Sequence, residues 1–375
     1  MAKKVYIGVG GKARKVKKIY IGVGGKARKV KKGYIGVGGV ARPFFTTGLE
    51  YYGKAPEMSF SKTNARTANI GNYVLVASSS SVDAYDASLT KTVATPLGGS
   101  PTSYLAAASN PSYAMFLGGN VKAYNAYNSS LTLTTGSDAT YAAVYSAAAS
   151  VGSYVLHGGG RGSSETNIRN YMDAYNTSLT KSKPSNLSTP RSQMAGGSTS
   201  SYALFIGGTK VDSSMDSGTS NSTAGQGYNS SLTRSSEFSV ANMVYAPNYG
   251  QARKYANFNN SVILGSNHNN GYQKLGVVNN SLTAAVATNS LPKHLNIDIA
   301  VVEGYAIFAG GSNDKTTAAH ALDQSYTITE ITGISEPRYY FCTGTIGSYA
   351  LLFSGNGYDS ANKLTTLKSV EVYTA

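Results

Sequence analysis

Several features that would point to a disulfide-stabilised, membrane-spanning or secreted protein are missing from this sequence. It has one cysteine, no tryptophan and 10 prolines in 375 residues, and only 14% of its residues are charged. The single cysteine, Cys342, has no partner for an internal disulfide, and its neighbours predict a strand with a buried, unreactive thiol. No apolar run approaches the roughly 18 residues of a membrane-spanning helix, and the basic start lacks the apolar segment of a signal peptide. We therefore expect no membrane span and synthesis in a cytoplasm without a signal peptide.

The sequence also lacks a recognisable set of catalytic or metal-binding residues. Of its four histidines, His157 replaces an apolar residue within a strand pattern, whereas His268, His294 and His320 are scattered among polar segments and strand ends. None has the spacing of a zinc site, and the glycine-rich pieces lack the Gly-Lys-Ser/Thr ending of a phosphate loop. We predict no catalytic residue, no metal ligand and no cofactor.

Glycine, tyrosine and basic residues are abundant instead. The 42 glycines and 29 tyrosines are typical of a β-rich protein with many turns. The formal net charge is +15, but residues 1–42 contain 13 of the 33 basic residues and no acidic residue. The 20 basic residues that remain are nearly balanced by 18 acidic residues. The positive charge therefore belongs to an N-terminal arm, residues 1–42, and the rest of the chain is nearly neutral.

The arm repeats with a period of 14 residues. Residues 5–18 return as residues 19–32 with one difference, and a third copy starts at residue 33 and breaks off at Pro43. Each copy has a β-prone Tyr-Ile-Gly-Val piece followed by Gly-Gly, which can supply the positive φ of a tight turn. A flexible, solvated basic tail is the alternative to ordered hairpins. We expect a hairpin array that docks to a partner through Tyr6, Tyr20, Tyr34, Lys15 and Arg28.

A second repeat fills the remainder of the chain. Seven apolar strands, most of them starting with tyrosine and ending in glycine, begin at residues 73, 113, 154, 202, 260, 305 and 349. Downstream of most of them, an aromatic strand runs into Asn/Asp-x-Ser-Leu-Thr, whose first side chain can cap a turn between two strands. The spacing of the seven strands is typical of propeller blades made of four short strands. We predict an all-β, seven-bladed propeller over residues 55–375, preceded by a linker at residues 43–54.

The pattern also predicts how the blades begin and how the ring closes. The first strand of each blade should lie just before the apolar strand, for example at residues 192–196 and 339–343. In the seventh blade the chain ends after a third strand near residues 369–373, so one outer strand is missing. We expect residues 55–61 to supply it, because this pairing would cover an exposed sheet edge and tie both ends of the propeller into one blade.

The glycine-terminated strands and the tyrosine-bearing strands after them resemble the repeats of Kelch-type propellers. The resemblance covers roughly residues 55–375 and implies a seven-bladed Kelch-like β-propeller with a short N-terminal β-repeat arm. The tryptophan usual late in a Kelch repeat is absent, and leucines such as Leu89 and Leu131 stand near its place. The Tyr-Ile-Gly-Val-Gly-Gly-Lys-Ala-Arg repeat of the arm resembles repeats in tail and baseplate-region proteins of phages and prophages of Gram-positive bacteria. This second resemblance implies a virion or phage-like particle as the location.

Long polar segments between the second and third strands of later blades should open on one face of the propeller. Their amide, hydroxyl and carboxylate groups can bond sugar hydroxyls, and tyrosine rings can cover apolar sugar faces. Solvated loops without a ligand are the competing interpretation. The residues expected in a ligand-binding rim are Arg161, Asp212, Asn267, Tyr272, Asn313, Asp314, Tyr358 and Asp359.

These observations predict a non-enzymatic structural or host-attachment component of a phage tail, a baseplate or a phage-like particle. Its expected partners are other particle proteins and a glycan or protein on the host cell surface. An intracellular protein-interaction scaffold is the first alternative. A nucleic-acid tether acting through the basic arm is less favoured, because β-prone pieces at a fixed period are not needed for a simple polycation.

Overall fold

Every regular element that the structure describes is a β-strand. The computed structural model describes residues 6–9, 12–15, 19–23, 26–30, 32–37, 40–46 and 48–375, the last range apart from residues 64, 80, 102–103, 163, 165, 212–218, 241–254, 266–271, 293, 295–297, 312–315 and 359–362. Within these ranges, no helix is long and apolar enough to cross a membrane. The described part of the chain is therefore all-β, as predicted.

The repeats of the arm form three antiparallel hairpins. The paired strands are β1 (Tyr6–Val9) with β2 (Lys12–Lys15), β3 (Ile19–Val23) with β4 (Lys26–Val30), and β5 (Lys32–Val37) with β6 (Val40–Thr46). In each hairpin the last valine of the Tyr-Ile-Gly-Val piece pairs with the residue after Gly-Gly, as Val9 pairs with Lys12. Only two residues separate these partners, which is the connection length of a tight hairpin. The predicted hairpin array is confirmed in its pairing, and the conformation of the Gly-Gly positions lies outside the described residues.

Strand β7 (Glu50–Ala55) follows the arm, and the first four blades come next. Blade 1 contains β8 (Arg66–Ile70), β9 (Tyr73–Ser78), β10 (Ser81–Asp86) and β11 (Lys91–Val93). Blade 2 contains β12 (Leu105–Ser109), β13 (Ala114–Gly118), β14 (Tyr124–Tyr127) and β15 (Leu133–Gly136). Blade 3 contains β16 (Ala147–Val151), β17 (Tyr154–Gly158), β18 (Met172–Tyr175) and β19 (Lys181–Ser182). Blade 4 contains β20 (Ala195–Ser198), β21 (Ala203–Ile206), β24 (Ala224–Tyr228) and β25 (Phe238–Ser239), with a hairpin of β22 (Thr209–Val211) and β23 (Thr219–Asn221) inserted in it.

The last three blades continue the same antiparallel order. Blade 5 contains β26 (Tyr255–Phe258), β27 (Ser261–Gly265), β28 (Tyr272–Asn279) and β29 (Ala284–Pro292). Blade 6 contains β30 (Ala300–Val302), β31 (Tyr305–Ala309), β32 (Ala319–Leu322) and β33 (Ile328–Ile331). Blade 7 contains β34 (Cys342–Ile346), β35 (Tyr349–Phe353), β38 (Val370–Thr374) and β7, with an inserted hairpin of β36 (Asn356–Tyr358) and β37 (Leu364–Thr366).

The seven sheets close into a ring. The first strand of each blade contacts the first strands of the two neighbouring blades, including β34 of blade 7 with β8 of blade 1. The apolar core lies between adjacent sheets, where Leu75 of blade 1 packs in one cluster with Phe116 and Tyr127 of blade 2. These contacts give the predicted seven-bladed β-propeller.

Two of the predicted first strands begin about three residues later than the sequence suggested. Strand β20 starts at Ala195, and β34 starts at Cys342. Just before them, Gln193 and Tyr340 have φ angles of 55° and 54°, in the left-handed region. A residue in that region cannot continue a strand, so the regular pairing begins only after it.

The ring closes through a strand from the N-terminal side, as predicted, but the location of that strand was wrong. Strand β7 spans residues 50–55, and its Ala55 pairs with Val370 while its Glu50 pairs with Thr374. The expected segment, residues 55–61, contributes only Ala55 to this strand, so residues 50–54 of the proposed linker are part of blade 7. The shift has a local cause, since Pro56 follows β7 directly and cannot donate a hydrogen bond to a ladder.

The turn between the third and fourth strands recurs with the predicted cap. Asp86 Oδ1 accepts hydrogen bonds from Ser88 N at 2.8 Å and from Thr90 N at 2.9 Å. The same two bonds are made by the side chains of Asn128, Asn176, Asn229, Asn279 and Asp323. The leucine of each turn takes a left-handed conformation, with φ near 60°, as in Leu89 at 61°. In blade 6 a tyrosine, Tyr326, holds this position, which is why the sequence pattern did not include that turn.

In five blades, a buried polar side chain on the third strand accepts hydrogen bonds from the segment that leads into the first strand of the same blade. Asp83 accepts hydrogen bonds from both the amide and the hydroxyl of Ser59 at 2.7 Å. The equivalent pairs are Asn125 with Gly98, Asp173 with Thr140, Gln226 with Ser188, and Glu371 with Ser335. The tyrosine two residues further on donates its hydroxyl to the same connection, as Tyr85 does to Pro56 O at 2.9 Å. These contacts give the recurring Asp/Asn-Ala-Tyr of the sequence a structural role, which is to hold the segment that leads into the blade.

Candidate functional site

Strand direction places two sets of connections on one face of the propeller. In an antiparallel blade, the connection between strands two and three and the connection from strand four to the next blade leave from the same edge. Arg161 lies in the first set, and Tyr104, Tyr145 and Gln193 lie in the second. We call this side the entry face, because the first strands around the central channel begin there.

The channel contains a cavity of about 380 Å³ that is lined by the first strands of the seven blades. At the start of these strands, the residue type at one repeated position varies around the ring. In blades 1, 2, 3, 4, 6 and 7 its occupants are Arg66, Ala106, Ala147, Ala195, Asp298 and Cys342, and the equivalent position of blade 5 lies outside the described residues. Three adjacent blades thus present alanine, whereas blades 1 and 6 present charged residues. Of the three alanines, Ala106 and Ala147 line the cavity, and their small side chains leave space in it.

One wall of the cavity carries two residues of opposite charge, Arg66 and Asp298. Asp298 Oδ1 accepts a hydrogen bond from Ile299 N at 3.0 Å, and its Oδ2 lies 3.3 Å from Thr343 N and 3.4 Å from Thr343 Oγ1. Burial raises the pKa of Asp298 to about 6, while the positive charge of Arg66 and these donors oppose the rise. Arg66 also donates to Ala65 O at 3.0 Å. A carboxylate and a guanidinium therefore line the same part of the cavity.

The opposite wall carries aromatic side chains. Tyr104 and Tyr145 lie two residues before Ala106 and Ala147, and their rings are 4.2 Å apart at an angle of 32°. The guanidinium of Arg161 lies 4.9 Å from the centre of the Tyr145 ring, a cation–π distance. Burial and the hydrogen bond with Tyr104 raise the pKa of Tyr145 to about 12, so its hydroxyl stays protonated near neutral pH.

The backbone holds these side chains in an uncommon conformation. The φ angles are 72° at Tyr104, 56° at Tyr145 and 55° at Gln193, and all three residues line the cavity. For residues other than glycine, each such conformation costs of order 1–3 kcal/mol, so the surrounding contacts must hold it in place. Those contacts include the third-strand bonds from Asn125, Asp173 and Gln226 to the same connections.

A second aromatic and cationic pair lies on the entry face beside the cavity. The guanidinium of Arg169 lies 4.5 Å from the centre of the Tyr141 ring, and Tyr141 in turn packs against Tyr171 at 5.1 Å. Arg169 belongs to the same connection as Arg161, and its amide donates to Gly160 O at 2.9 Å. Tyr141 is 39% exposed and does not line the cavity, which makes this pair a surface feature.

Further along the channel, polar side chains bridge the first strands of neighbouring blades. Ser109 Oγ accepts from Asn69 N at 3.0 Å, Ser198 Oγ accepts from Ser150 N at 2.9 Å, and Asn257 Oδ1 accepts from Ser198 N at 2.8 Å. The innermost strand of a blade has one edge without a neighbouring strand, and these side chains satisfy amides along it. The polar residues in this part of the channel therefore have a structural role, which is to link the first strands of neighbouring blades.

The structure locates only part of the predicted rim. Arg161 is at the channel mouth, stacked on Tyr145, and Tyr358 lies in the inserted hairpin of blade 7. Tyr272 begins β28, but its side chain is outside the described residues, as are Asp212, Asn267, Asn313, Asp314 and Asp359. The sequence analysis missed Tyr104, Tyr145 and Asp298, because it looked for ligand contacts in long loops and not at the starts of the first strands.

The predicted docking residues of the arm are located by strand pairing alone. Tyr6 pairs with Lys15, Tyr20 pairs with Lys29, Arg28 pairs with Ile21, and Tyr34 pairs with Pro43. Each tyrosine therefore occupies the same position in its hairpin.

Two arginines and two histidines occupy positions that the sequence analysis did not connect. Arg338 is fully buried, donates to Ser354 O at 3.1 Å and forms an ion pair with Glu371 at 3.1 Å. In blade 6 the equivalent pair is His294 and His320, with His294 Nδ1 donating to Gly310 O at 2.6 Å and His294 Nε2 lying 2.8 Å from His320 Nδ1. The view of these histidines as scattered was therefore wrong. The Pro-Arg pairs at residues 190–191 and 337–338 were the sequence signal for these arginines. Each arginine donates to a carbonyl in the turn that ends the second strand of its blade, Arg191 to Gly207 O and Arg338 to Ser354 O.

The remaining candidates for chemistry are buried in the described core. Cys342 is 3% exposed, as predicted, and burial raises the pKa of its thiol. His157 is fully buried, and its Nε2 lies 2.8 Å from Ser146 Oγ. In the part of the chain that the structure describes, no group of three or more His, Cys, Asp or Glu side chains is placed to hold a metal ion.

Comparison with known proteins supports the architecture and leaves the family open. No protein-family model matches the chain, and no curated protein matches its sequence. Among solved structures, that of YjhT is similar over 84% of this chain and 96% of its own, with 12% sequence identity and a TM-score of 0.52. At this identity the likeness concerns the fold alone. The chain is thus a seven-bladed β-propeller that carries a series of N-terminal hairpins.

Proposed function

We propose that this protein is a non-enzymatic attachment component of a phage tail, a baseplate or a phage-like particle. In this proposal the arm docks to other particle proteins, and the entry face of the propeller binds a glycan or protein on the host cell surface. The observation that carries the binding role is the channel mouth, where two stacked tyrosines and Arg161 lie beside a cavity of about 380 Å³. Concave sites with aromatic walls and a few placed polar groups are typical of ligand-binding proteins.

The arm supports the docking half of the proposal. Its three hairpins repeat one register, so the same tyrosine and the same glycine pair recur at equivalent positions. Short hairpins of this kind offer strand edges to which a partner can add backbone hydrogen bonds. An intracellular scaffold could use the same edges, and recovery of the protein with purified particles separates the two possibilities.

We predict that docking depends on the tyrosines of the arm more than on its charge. One variant replaces Tyr6, Tyr20 and Tyr34 by serine, and a matched variant replaces Lys15, Lys17, Lys29 and Lys31 by glutamine. The measurement is the fraction of each protein that co-purifies with particles across a series of salt concentrations. The tyrosine variant should lose most of its association, and the glutamine variant should keep most of it.

The opposite ranking would indicate a partner recognised by charge. A steep loss of association of the unchanged protein with rising salt would indicate the same, because each phosphate or carboxylate contact releases counterions. If neither variant nor the unchanged protein is found on particles, the attachment role is wrong.

A further inference from the structure

We propose that the cavity at the channel mouth binds one ring of a neutral saccharide, which stacks on Tyr104 and bonds the polar wall through its hydroxyl groups. This inference rests on the proposed function only for the binding role of the entry face. It names the site and the chemical class of the ligand.

The cavity is large enough for a small ligand. A cavity of about 380 Å³ falls within the roughly 300–1,000 Å³ typical of small-molecule sites. Ala106 and Ala147 leave space in it, because they occupy the position at which blades 1 and 6 present Arg66 and Asp298, and all four residues line the cavity. The two alanines follow Tyr104 and Tyr145 by two residues, so the small side chains belong to the same blades as the aromatic wall.

The two walls of the cavity differ in their chemistry. A sugar ring has an apolar face of C–H groups and an edge of hydroxyl groups. Tyrosine rings such as Tyr104 suit the face, and carboxylate, guanidinium and amide groups suit the edge. The cavity has this division, since Tyr104 and Tyr145 line one side and Asp298 with Arg66 lines the other. Gln193 adds an amide beside the aromatic wall.

The cavity contains both signs of charge. Arg66 and Asp298 both line it, and the positive charge of Arg66 lowers the pKa of Asp298 against the effect of burial. An anionic ligand would meet the carboxylate, and a cationic ligand would meet the guanidinium. A polyhydroxylated ligand without charge can donate to Asp298 and accept from Arg66 at the same time. The site is therefore matched to neutral sugars.

The test is a binding titration of the full chain with the methyl glycosides of glucose, galactose and N-acetylglucosamine, with glucuronate and glucosamine as charged probes. Tyr104→Ala should weaken binding of the best neutral probe at least tenfold. Tyr141→Ala is the matched control, because it removes an exposed tyrosine of the same face that does not line the cavity, and it should leave the affinity unchanged. Thermal melting of each variant checks that the propeller remains folded.

A third variant tests the charge balance without removing bulk. Asp298→Asn leaves the charge of Arg66 unopposed, so the preference for glucuronate over the neutral glycoside should rise at least tenfold. The proposal is overturned if no neutral probe shows saturable binding at concentrations up to about 10 mM, where a site with a Kd near 1 mM would be mostly filled. It is also overturned if a charged probe binds the unchanged protein best, or if Tyr141→Ala weakens binding more than Tyr104→Ala does.

These outcomes are separate from those of the docking experiment. A protein that binds no saccharide but co-purifies with particles contradicts the saccharide site alone. A protein that binds a neutral saccharide but is never found on particles contradicts the particle role alone.

Discussion

At the residue scale, one position on the second strand shows how a single substitution changes the chemistry of a repeated core site. Phe116, Phe205 and Phe308 fill this position in blades 2, 4 and 6, and His157 fills it in blade 3. His157 Nδ1 is buried and has no hydrogen-bond partner among the described residues. Burial lowers the pKa of His157 to about 4, and the negative charge of Asp173 opposes this only in part. The imidazole is therefore neutral in the folded protein at pH 5 to 7.

We predict that His157 makes the protein less stable in mild acid. Between pH 6.5 and pH 4 the unfolded chain binds a proton at this histidine and the folded chain does not, so the free energy of unfolding falls as the pH falls. A shift from 6.5 to about 4 corresponds to roughly 3 kcal/mol over that range. His157→Phe should remove this contribution, which denaturant unfolding at pH 7 and pH 5 would measure. An equal loss of stability between these pH values in both proteins would contradict the prediction.

At the scale of the element, the third strand of a blade is the part that fixes the entry face. Its polar residue and its tyrosine, such as Asp83 and Tyr85, both bond the connection that leads into the blade. Because Tyr104, Tyr145 and Gln193 lie on such connections, strands that are remote from the channel axis position the side chains of the cavity.

We predict that Asp83→Ala destabilises the propeller by about 1–3 kcal/mol, because it removes a buried side chain that accepts two hydrogen bonds, from an amide and a hydroxyl, each worth about 0.5–1.5 kcal/mol. The amide concerned is that of Ser59, which donates to Asp83 at 2.7 Å. Asp86→Ala, three residues further along, removes an exposed turn cap and should cost less. Urea unfolding of both variants is the measurement, and an equal or smaller loss for Asp83→Ala would show that the bond to Ser59 contributes little.

At the scale of the whole molecule, ring closure joins the two ends of the propeller through polar contacts as well as strand pairing. The hydroxyl of Tyr51 on β7 bonds Glu371 on β38, which also pairs with Arg338. Lys54 pairs with Glu336, and Met58 N donates to Lys368 O at 2.8 Å. Strand β7 is therefore part of the propeller, although it adjoins the arm in sequence.

We predict that the position at which the arm is removed decides whether the propeller stays intact. A chain that starts at Gly48 keeps all of β7 and should melt at the same temperature as the full protein. A chain that starts at Pro56 lacks β7, exposes the edge of β38 and should melt several degrees lower and aggregate more readily. Scanning calorimetry and light scattering of both chains would test this, and equal melting temperatures would show that β7 is dispensable for closure.

The sequence by itself determined the features that depend on neighbours along the chain. The seven apolar strands, the capped turns at Asp86 and its equivalents, and the hairpins around Gly-Gly follow from local hydrogen bonding and from the alternation of side chains. Tertiary structure alone decided the rest. Tyr104 and Asp298 line one cavity only because closure of the ring brings strands of different blades together, and His294 bonds His320 because the segment that leads into blade 6 packs against the third strand of that blade. Tertiary structure also decided which residues form the closing strand. A short strand can pair in several registers, and the register of β7 with β38 is determined only in the closed ring.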